Sequence, residues 1–402
     1  MQKIAVTENR VSPKSEGDSH KNLLFLDGLR GIAAAIVMIG HVRWLLWEGY
    51  TEGFLKHPER YTLPAKAMVY FLSIFRFGHQ AVLFFFVLSG LVIHLKYSKK
   101  LALSNEGRFD YKDYFTRRLR RIYPPFLFVL LLTYILDVWG SHLGFSIYSG
   151  KTPNELLNQN VTSDHSLVNL LGNLIFINGG RVGTWGTNTP LWSLKFEWWF
   201  YVLYPALLLV NRKTIAGSGL LVLGLFIISF FAHFLSLSFF INVFQYLLTW
   251  WLGVILADIY TERIKIGNVQ LSFLVILLPL LIIGGGRIHS DILADICWAV
   301  GFFGLLNLLF YVKSRGFRLT FLNKLKWLGD CSYTLYIVHF PVTVFLSGLV
   351  LHYNHNEMPQ TFIFVFAAAL FNVLLAYLLH FIIELPFIRR SRLKKASFVT
   401  VV

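Results

Sequence analysis

Long apolar runs, separated by short polar segments rich in lysine and arginine, set the pattern of this chain. A helix that crosses a bilayer needs about 20 mostly apolar residues. Ten stretches meet that requirement: 23–46, 71–95, 122–140, 192–211, 218–238, 242–260, 269–285, 292–312, 329–351 and 361–388. Two are unusual: 192–211 carries Lys195 and Glu197, and 269–285 is short. Residues 166–178 (SLVNLLGNLIFIN) are apolar but too brief to span, so they read as a re-entrant or interfacial piece. The pattern predicts an all-α, polytopic integral membrane protein with about ten transmembrane helices. No internal repeat is visible.

Composition agrees with lipid as the main solvent. Apolar residues make up 55% and charged residues only 14%, too little polar surface for a soluble protein of this size. The net charge of +16 is explained by where it lies. Taking alternate connecting segments together, 27 of the 37 lysines and arginines fall on one side and eight on the other. The positive-inside rule therefore places both termini in the cytoplasm, and no nucleic-acid partner is needed. The division that follows is a cytoplasmic tail at 1–22, a transmembrane domain at 23–388 with an outer loop at 141–191, and a basic cytoplasmic tail at 389–402. The first segment has no apolar core of the signal-peptide type. Two cysteines, Cys297 and Cys331, imply no disulfide framework.

The first apolar run contains LDGLRGIAAAIVMIGH, Leu26 to His41. Arg30 and His41 are eleven residues apart, which puts them on one helix face, separated by roughly 16 Å along the axis. Asp27 is three residues before Arg30 and within pairing reach. Either Asp27 and Arg30 are an interfacial pair and His41 a satisfied interhelical histidine, or these groups do chemistry. Intramembrane ionisable groups are costly unless paired or hydrated, which favours the second reading.

Asp-Gly-Leu-Arg-Gly, with ten residues between its Arg30 and His41, resembles the opening signature of the acyltransferase-3 family of polytopic bacterial membrane proteins. Three further stretches match in order. GHQAVLFFFVLSGLVI (Gly78 to Ile93) is similar to the family's second-helix motif. Its Ser89 and Gly90 suit close helix packing or room for a substrate chain. His79 and Gln80 start that helix on the outer side, and Leu83 stands where many members carry an acid. PLWSLKFEWWFYVLYP (Pro190 to Pro205) places Ser193, Glu197 and Tyr201 in one polar stripe. Glu197 either orients or activates His41 or partners an arginine or Lys195, and Lys195 is expected to snorkel to the outer headgroups. WLGDCSYTLYIVHFPV (Trp327 to Val342) carries Ser332, Tyr333, Tyr336 and His339, and His339 competes with His41 as the catalytic base. IELPFIRR closes the resemblance, with Glu384 near Arg389 as an expected cytoplasmic-edge pair.

Before the third span, YFTRRLRRIYPPF gathers Arg117, Arg118 and Arg121 on one helical side. Guanidinium forks suit phosphate oxygens, while plain anchoring to anionic lipid accounts for the same residues. No metal-ligand spacing is present.

The resemblance implies a multi-pass enzyme of the bacterial inner (cell) membrane. It would move an acyl group, acetyl above all, from cytoplasmic acyl-CoA to a hydroxyl of a cell-surface or lipid-linked polysaccharide sugar. Acetyl-CoA is then a co-substrate held by Arg30, Arg117, Arg118 and Arg121, with no metal. His41, Glu197 and His339 are the catalytic candidates. Asp27, Ser89, Ser193, Tyr201, Ser332 and Tyr333 line the substrate path, and the 141–191 loop shapes the acceptor's way in. His41 acts as general base or carries the acyl group itself. The partners are the acyl-CoA donor, the glycan or lipid-linked sugar and membrane lipid. A transporter or flippase for a glycan or lipid intermediate, or a membrane scaffold, would also show many spans with buried charges.

Overall fold

In the computed structural model the residues described are 23–103, 109–232, 238–265, 272, 275–277 and 291–388. Helices make up their regular structure, with one isolated bridge between Gly179 and Val182. In lipid the backbone must satisfy its own hydrogen bonds, and a helix does so within each apolar run. In chain order the helices are α1 (Leu24–Leu46), α2 (Leu63–Ser73), α3 (Gly78–Leu103), α4 (Tyr111–His142) and α5 (Glu155–Asn160). Then come α6 (Leu167–Leu174), α7 (Leu194–Lys213), α8 (Ile215–Ala232), α9 (Ser238–Tyr260) and α10 (Asp291–Ser314). The last four are α11 (Thr320–Lys324), α12 (Lys326–Asp330), α13 (Ser332–Tyr353) and α14 (Ile363–Leu379), which runs on through a π-helical turn at His380–Glu384.

Among the described residues, seven segments are long and apolar enough to cross a membrane: α1, α2 through α3, α4, Asn242–Tyr260 of α9, α10, α13 and Ile363–Ile388. The expected 192–211 span is helical as α7, but with Lys195 and Glu197 inside it, it is not among these seven. The expected 218–238 span is a shorter apolar helix, Ile215–Phe231. The expected 269–285 span lies outside the described residues, apart from 272 and 275–277. Both tails, 1–22 and 389–402, lie outside them as well. The apolar 166–178 piece forms only the eight-residue α6.

Two expected spans are interrupted. The 71–95 run is broken by a 3-10 turn at Ile74–Arg76 before α3 begins at Gly78. The 329–351 run is broken at Cys331, whose φ of −91° and ψ of 5° separate α12 from α13. Arg76 lies in the first break, and Asp330 and Ser332 flank the second, but isolated polar residues in long apolar runs do not by themselves mark a bend.

Small residues set how closely these helices approach, as membrane packing favours. A Cβ on Gly90 of α3 would sit 2.0 Å from the Trp250 carbonyl oxygen of α9, and one on Gly253 would sit 2.0 Å from that of Val87. The two helices thus touch backbone to backbone in both directions, which fits the packing reading of Gly90. At the start of α1, a Cβ on Gly28 would meet the Leu322 carbonyl oxygen at 2.0 Å, and one on Gly329 would meet that of Asp27 at 1.9 Å. The glycines of the Asp-Gly-Leu-Arg-Gly motif therefore admit the α11–α12 segment against α1.

Prolines inside helices leave the carbonyl four residues earlier without its usual donor. Pro341 frees the Ile337 carbonyl, which accepts from Asn188 Nδ2 at 2.9 Å. Pro205 frees the Tyr201 carbonyl, which accepts from the Tyr114 hydroxyl at 3.1 Å. Both gaps are filled by side chains from elsewhere in the chain, as buried backbone requires.

Candidate functional site

The site lies where α1, α3 and α13 meet, with α4 and α7 closing one side. The fork of Arg30 fixes its first end. Nη2 and Nε reach the Gly329 carbonyl at 2.6 and 3.2 Å, and Nε also donates to Ser332 Oγ at 2.9 Å. Asp27 lies 3.6 Å away. The break at Cys331 is what turns this carbonyl and hydroxyl toward α1.

Beside Arg30 opens a cavity of about 990 Å³ including its mouth. Asp27, Arg30 and Arg121 supply charge, and Glu197 and Tyr201 face it from α7. Ser89, Ser193, Ser332, Tyr333 and Tyr336 add hydroxyls to walls otherwise formed by apolar residues such as Phe85, Phe86 and Ile93. The Tyr201 hydroxyl is hydrogen-bonded to Glu197. Tyr333 donates to the Ile122 carbonyl at 3.1 Å, and Trp250 Nε1 donates to Ser89 at 3.2 Å. All six residues expected along a substrate path thus border one space. Of the four expected phosphate ligands, Arg30 and Arg121 line it. Arg117 is paired with Asp113 at 2.6 Å, and Arg118 lies over the Tyr114 ring at 4.3 Å; neither lines the cavity.

A second cavity, of about 780 Å³ including its mouth, is lined by Gly40, His41, Arg43 and Trp44 of α1, and by Phe75, Arg76, His79 and Trp192. Val82 and Tyr336 line both cavities. Tyr336 is held there by Ser193 Oγ at 2.6 Å and by donation to the Pro190 carbonyl at 3.0 Å.

His41 Nδ1 lies 3.0 Å from His339 Nε2, and His339 Nδ1 lies 3.0 Å from the Leu335 carbonyl oxygen. A carbonyl only accepts, so the hydrogen of His339 belongs on Nδ1 and its Nε2 carries the lone pair. His41 must then donate through Nδ1, which leaves Nε2 of the neutral ring as its basic nitrogen. Phe340 packs edge-on to the His41 ring with centroids 5.1 Å apart, and Trp44 lies at 6.3 Å. The two histidines expected to compete for one role are therefore partners, with His339 fully buried behind His41.

Glu197 borders the first cavity and His41 the second, so the carboxylate is not the group that touches His41. Lys195 does not snorkel. It is 5% exposed and donates to the Asn178 carbonyl at 2.6 Å, because the 176–192 segment folds over the start of α7 and caps its ammonium. Glu384 is likewise buried, bonded by Thr334 at 2.8 Å and His380 at 2.9 Å. Arg389 lies outside the described residues. No residue of 141–191 lines the second cavity; Phe75, Arg76 and Gly78 form that wall instead. Asp137, within α4, receives Thr187 N and Oγ1 at 2.8 and 2.7 Å, which holds the 141–191 loop against the helices.

Several site residues were not singled out from sequence. Tyr336 was legible only as a member of a polar helix face. Arg43 and Arg76 stood among the outer-side charges, although Arg43 follows His41 by two positions. His79 bonds Asp295 at 2.8 Å, a pairing across 216 residues with no sequence signal. A buried knot of His94, Ser98, Tyr204, Asn211, Asp258 and Arg263 ties α3, α7 and α9 together away from both cavities. Among the described residues no group of three or more His, Cys, Asp or Glu side chains is placed to hold a metal ion.

The family described as acyltransferase domain, Acyl_transf_3, matches residues 23–381. The chain belongs to the acyltransferase-3 family. The match takes in both cavities and the His41–His339 pair, and with seven apolar helices it makes this family member a multi-pass membrane protein. No curated protein and no solved structure matches this acyltransferase-3 chain.

Proposed function

We propose that this chain is a membrane O-acyltransferase of the bacterial inner membrane. It takes an acyl group, acetyl in the simplest case, from cytoplasmic acyl-CoA and places it on a hydroxyl of a cell-surface or lipid-linked polysaccharide sugar. The observation that carries this reading is the pair of cavities meeting at Val82 and Tyr336, with Arg30 and Arg121 in one and His41 in the other. The charge bias puts the Arg30 end on the cytoplasmic side. There the donor's phosphates meet Arg121 and the free edge of Arg30, and the thin pantetheine arm runs along the apolar walls toward Tyr336.

The acceptor enters the second cavity and presents its hydroxyl to His41 Nε2. As the hydroxyl oxygen attacks the thioester carbon, its proton passes to Nε2. The C–O bond forms, the C–S bond breaks, and the departing sulfur takes the proton back from His41. The products are an ester and free CoA thiol, with His41 neutral again. Donation from His41 Nδ1 to His339 keeps the ring in the orientation and tautomer this needs.

The test compares surface glycans from cells carrying the wild-type chain, the His41→Ala variant or neither, by mass spectrometry before and after mild alkali. A base-labile acyl increment that appears only with the wild-type chain supports the reading, and its mass names the group. An unchanged increment with His41→Ala removes His41 from the chemistry. No increment in any strain turns the reading toward a transporter of glycan or lipid intermediates.

A further inference from the structure

The second cavity carries four basic side chains, His41, Arg43, Arg76 and His79, and no carboxylate lines it. Asp295, outside its lining, is engaged by His79 at 2.8 Å. Arg43 is poorly satisfied: its Nη1 reaches the Leu72 carbonyl only at 3.4 Å, and its buried Nε has no hydrogen-bond partner among the described residues. The Arg76 guanidinium lies over the Phe77 ring at 4.9 Å. Two guanidinium groups bordering one half-open space, with no acid among its lining residues, repel each other and raise the affinity of that space for an anion. Trp44, Phe75 and Trp192 bring flat apolar faces to the same walls.

We infer that the acceptor unit is an acidic sugar. Its ring lies against the aromatic walls, an oxyanion on it is held by Arg43 and Arg76, and its hydroxyl is thereby aimed at His41. This deepens the acyltransferase reading and rests on it for the hydroxyl's role, whereas the oxyanion site stands on the arginines alone. A carboxylate or a phosphate on the sugar offers the same oxygens to guanidinium forks.

The test uses the full chain in phosphatidylcholine nanodiscs and titrates glucuronic acid, glucose 1-phosphate and glucose by calorimetry. The expected result is at least tenfold tighter binding of one or both acidic sugars than of glucose. In Arg43→Gln and Arg76→Gln that preference falls to within about threefold, while Arg43→Lys keeps part of it. Size-exclusion profiles matching wild type show that the variants are folded. Equal binding of charged and neutral sugars, a preference that survives both glutamine variants, or no binding of either acidic sugar overturns the inference. A parallel preparation in phosphatidylglycerol nanodiscs addresses the other source of an oxyanion. If the lipid blocks the acidic sugars and is retained by wild type but not by Arg43→Gln, the occupant is a lipid headgroup and the acidic acceptor is overturned. Acetyl transfer from acetyl-CoA is measured separately. Acidic-sugar binding without transfer defeats the enzyme reading and leaves the oxyanion site; transfer without charge preference does the reverse.

Discussion

His41 and His339 face each other nitrogen to nitrogen at 3.0 Å, and the Leu335 carbonyl behind them decides which nitrogen holds each hydrogen. The proton order thus runs from a backbone oxygen through a buried ring to the ring that borders the second cavity. In the proposed reaction His339 acts through His41, as a positioning residue.

His339→Phe keeps much of the ring volume but removes the acceptor for His41 Nδ1. The expected outcome is a fall in kcat of roughly 100-fold with little change in the KM for acyl-CoA, since loss of a histidine's orienting partner acts on the chemical step. His339→Gln, whose amide oxygen can accept the same hydrogen, should recover part of the loss. Steady-state kinetics on purified protein separate the two parameters. A pure KM effect would move His339 into binding.

Arg121 borders the cavity proposed to hold the donor, while Arg117 is held by Asp113 on the same helix. Arg121→Gln should raise the KM for acetyl-CoA about tenfold, the order of one charge-assisted contact of about 1.5 kcal/mol. Arg117→Gln should raise it less than about threefold, as expected for an exposed pair. Donor saturation curves distinguish the two, and the opposite ranking would move the phosphates outward along α4.

Gly90 has no room for a side chain, whereas a Cβ on Gly219 of α8 meets nothing within 4 Å. Gly90→Val should destabilise the protein by about 3 kcal/mol or prevent its recovery, as overpacking against a fixed backbone does. Gly219→Ala should behave as wild type. Thermal midpoints and the yield of monodisperse protein in detergent give the comparison.

Much of the fold was legible because lipid demands long apolar helices, so α1, α4, α9, α10 and α14 announce themselves by length alone. The breaks at 74–77 and at Cys331 were not, since a few polar residues such as Arg76 and Asp330 inside a long apolar run do not by themselves mark a bend. The site was legible where a short spacing fixes geometry, as with Arg30 and His41 on one helix. It was not where partners come from distant segments. The spacing within α7 could not say that Glu197 and His41 open onto different cavities, nor that Lys195 is capped by the chain just before it. Arg43 and Arg76 were hidden by their label as outer-side charges, which records a position along the bilayer normal and nothing about a shared wall.

The reciprocal glycine contact between α3 and α9 bears on how anything can cross this protein. Helices meshed carbonyl against groove at Gly90 and Gly253 cannot glide past each other; the next seating is a full turn away, about 5.4 Å along the axis. The pair is a fixed partition, and Val82, on the same helix as Gly90, is mounted on it. A carrier that moved α3 against α9 would have to unmesh that joint in every cycle. The acyl transfer proposed above would ask nothing of it: both cavities would keep their places, and only a group of a few atoms would pass between them.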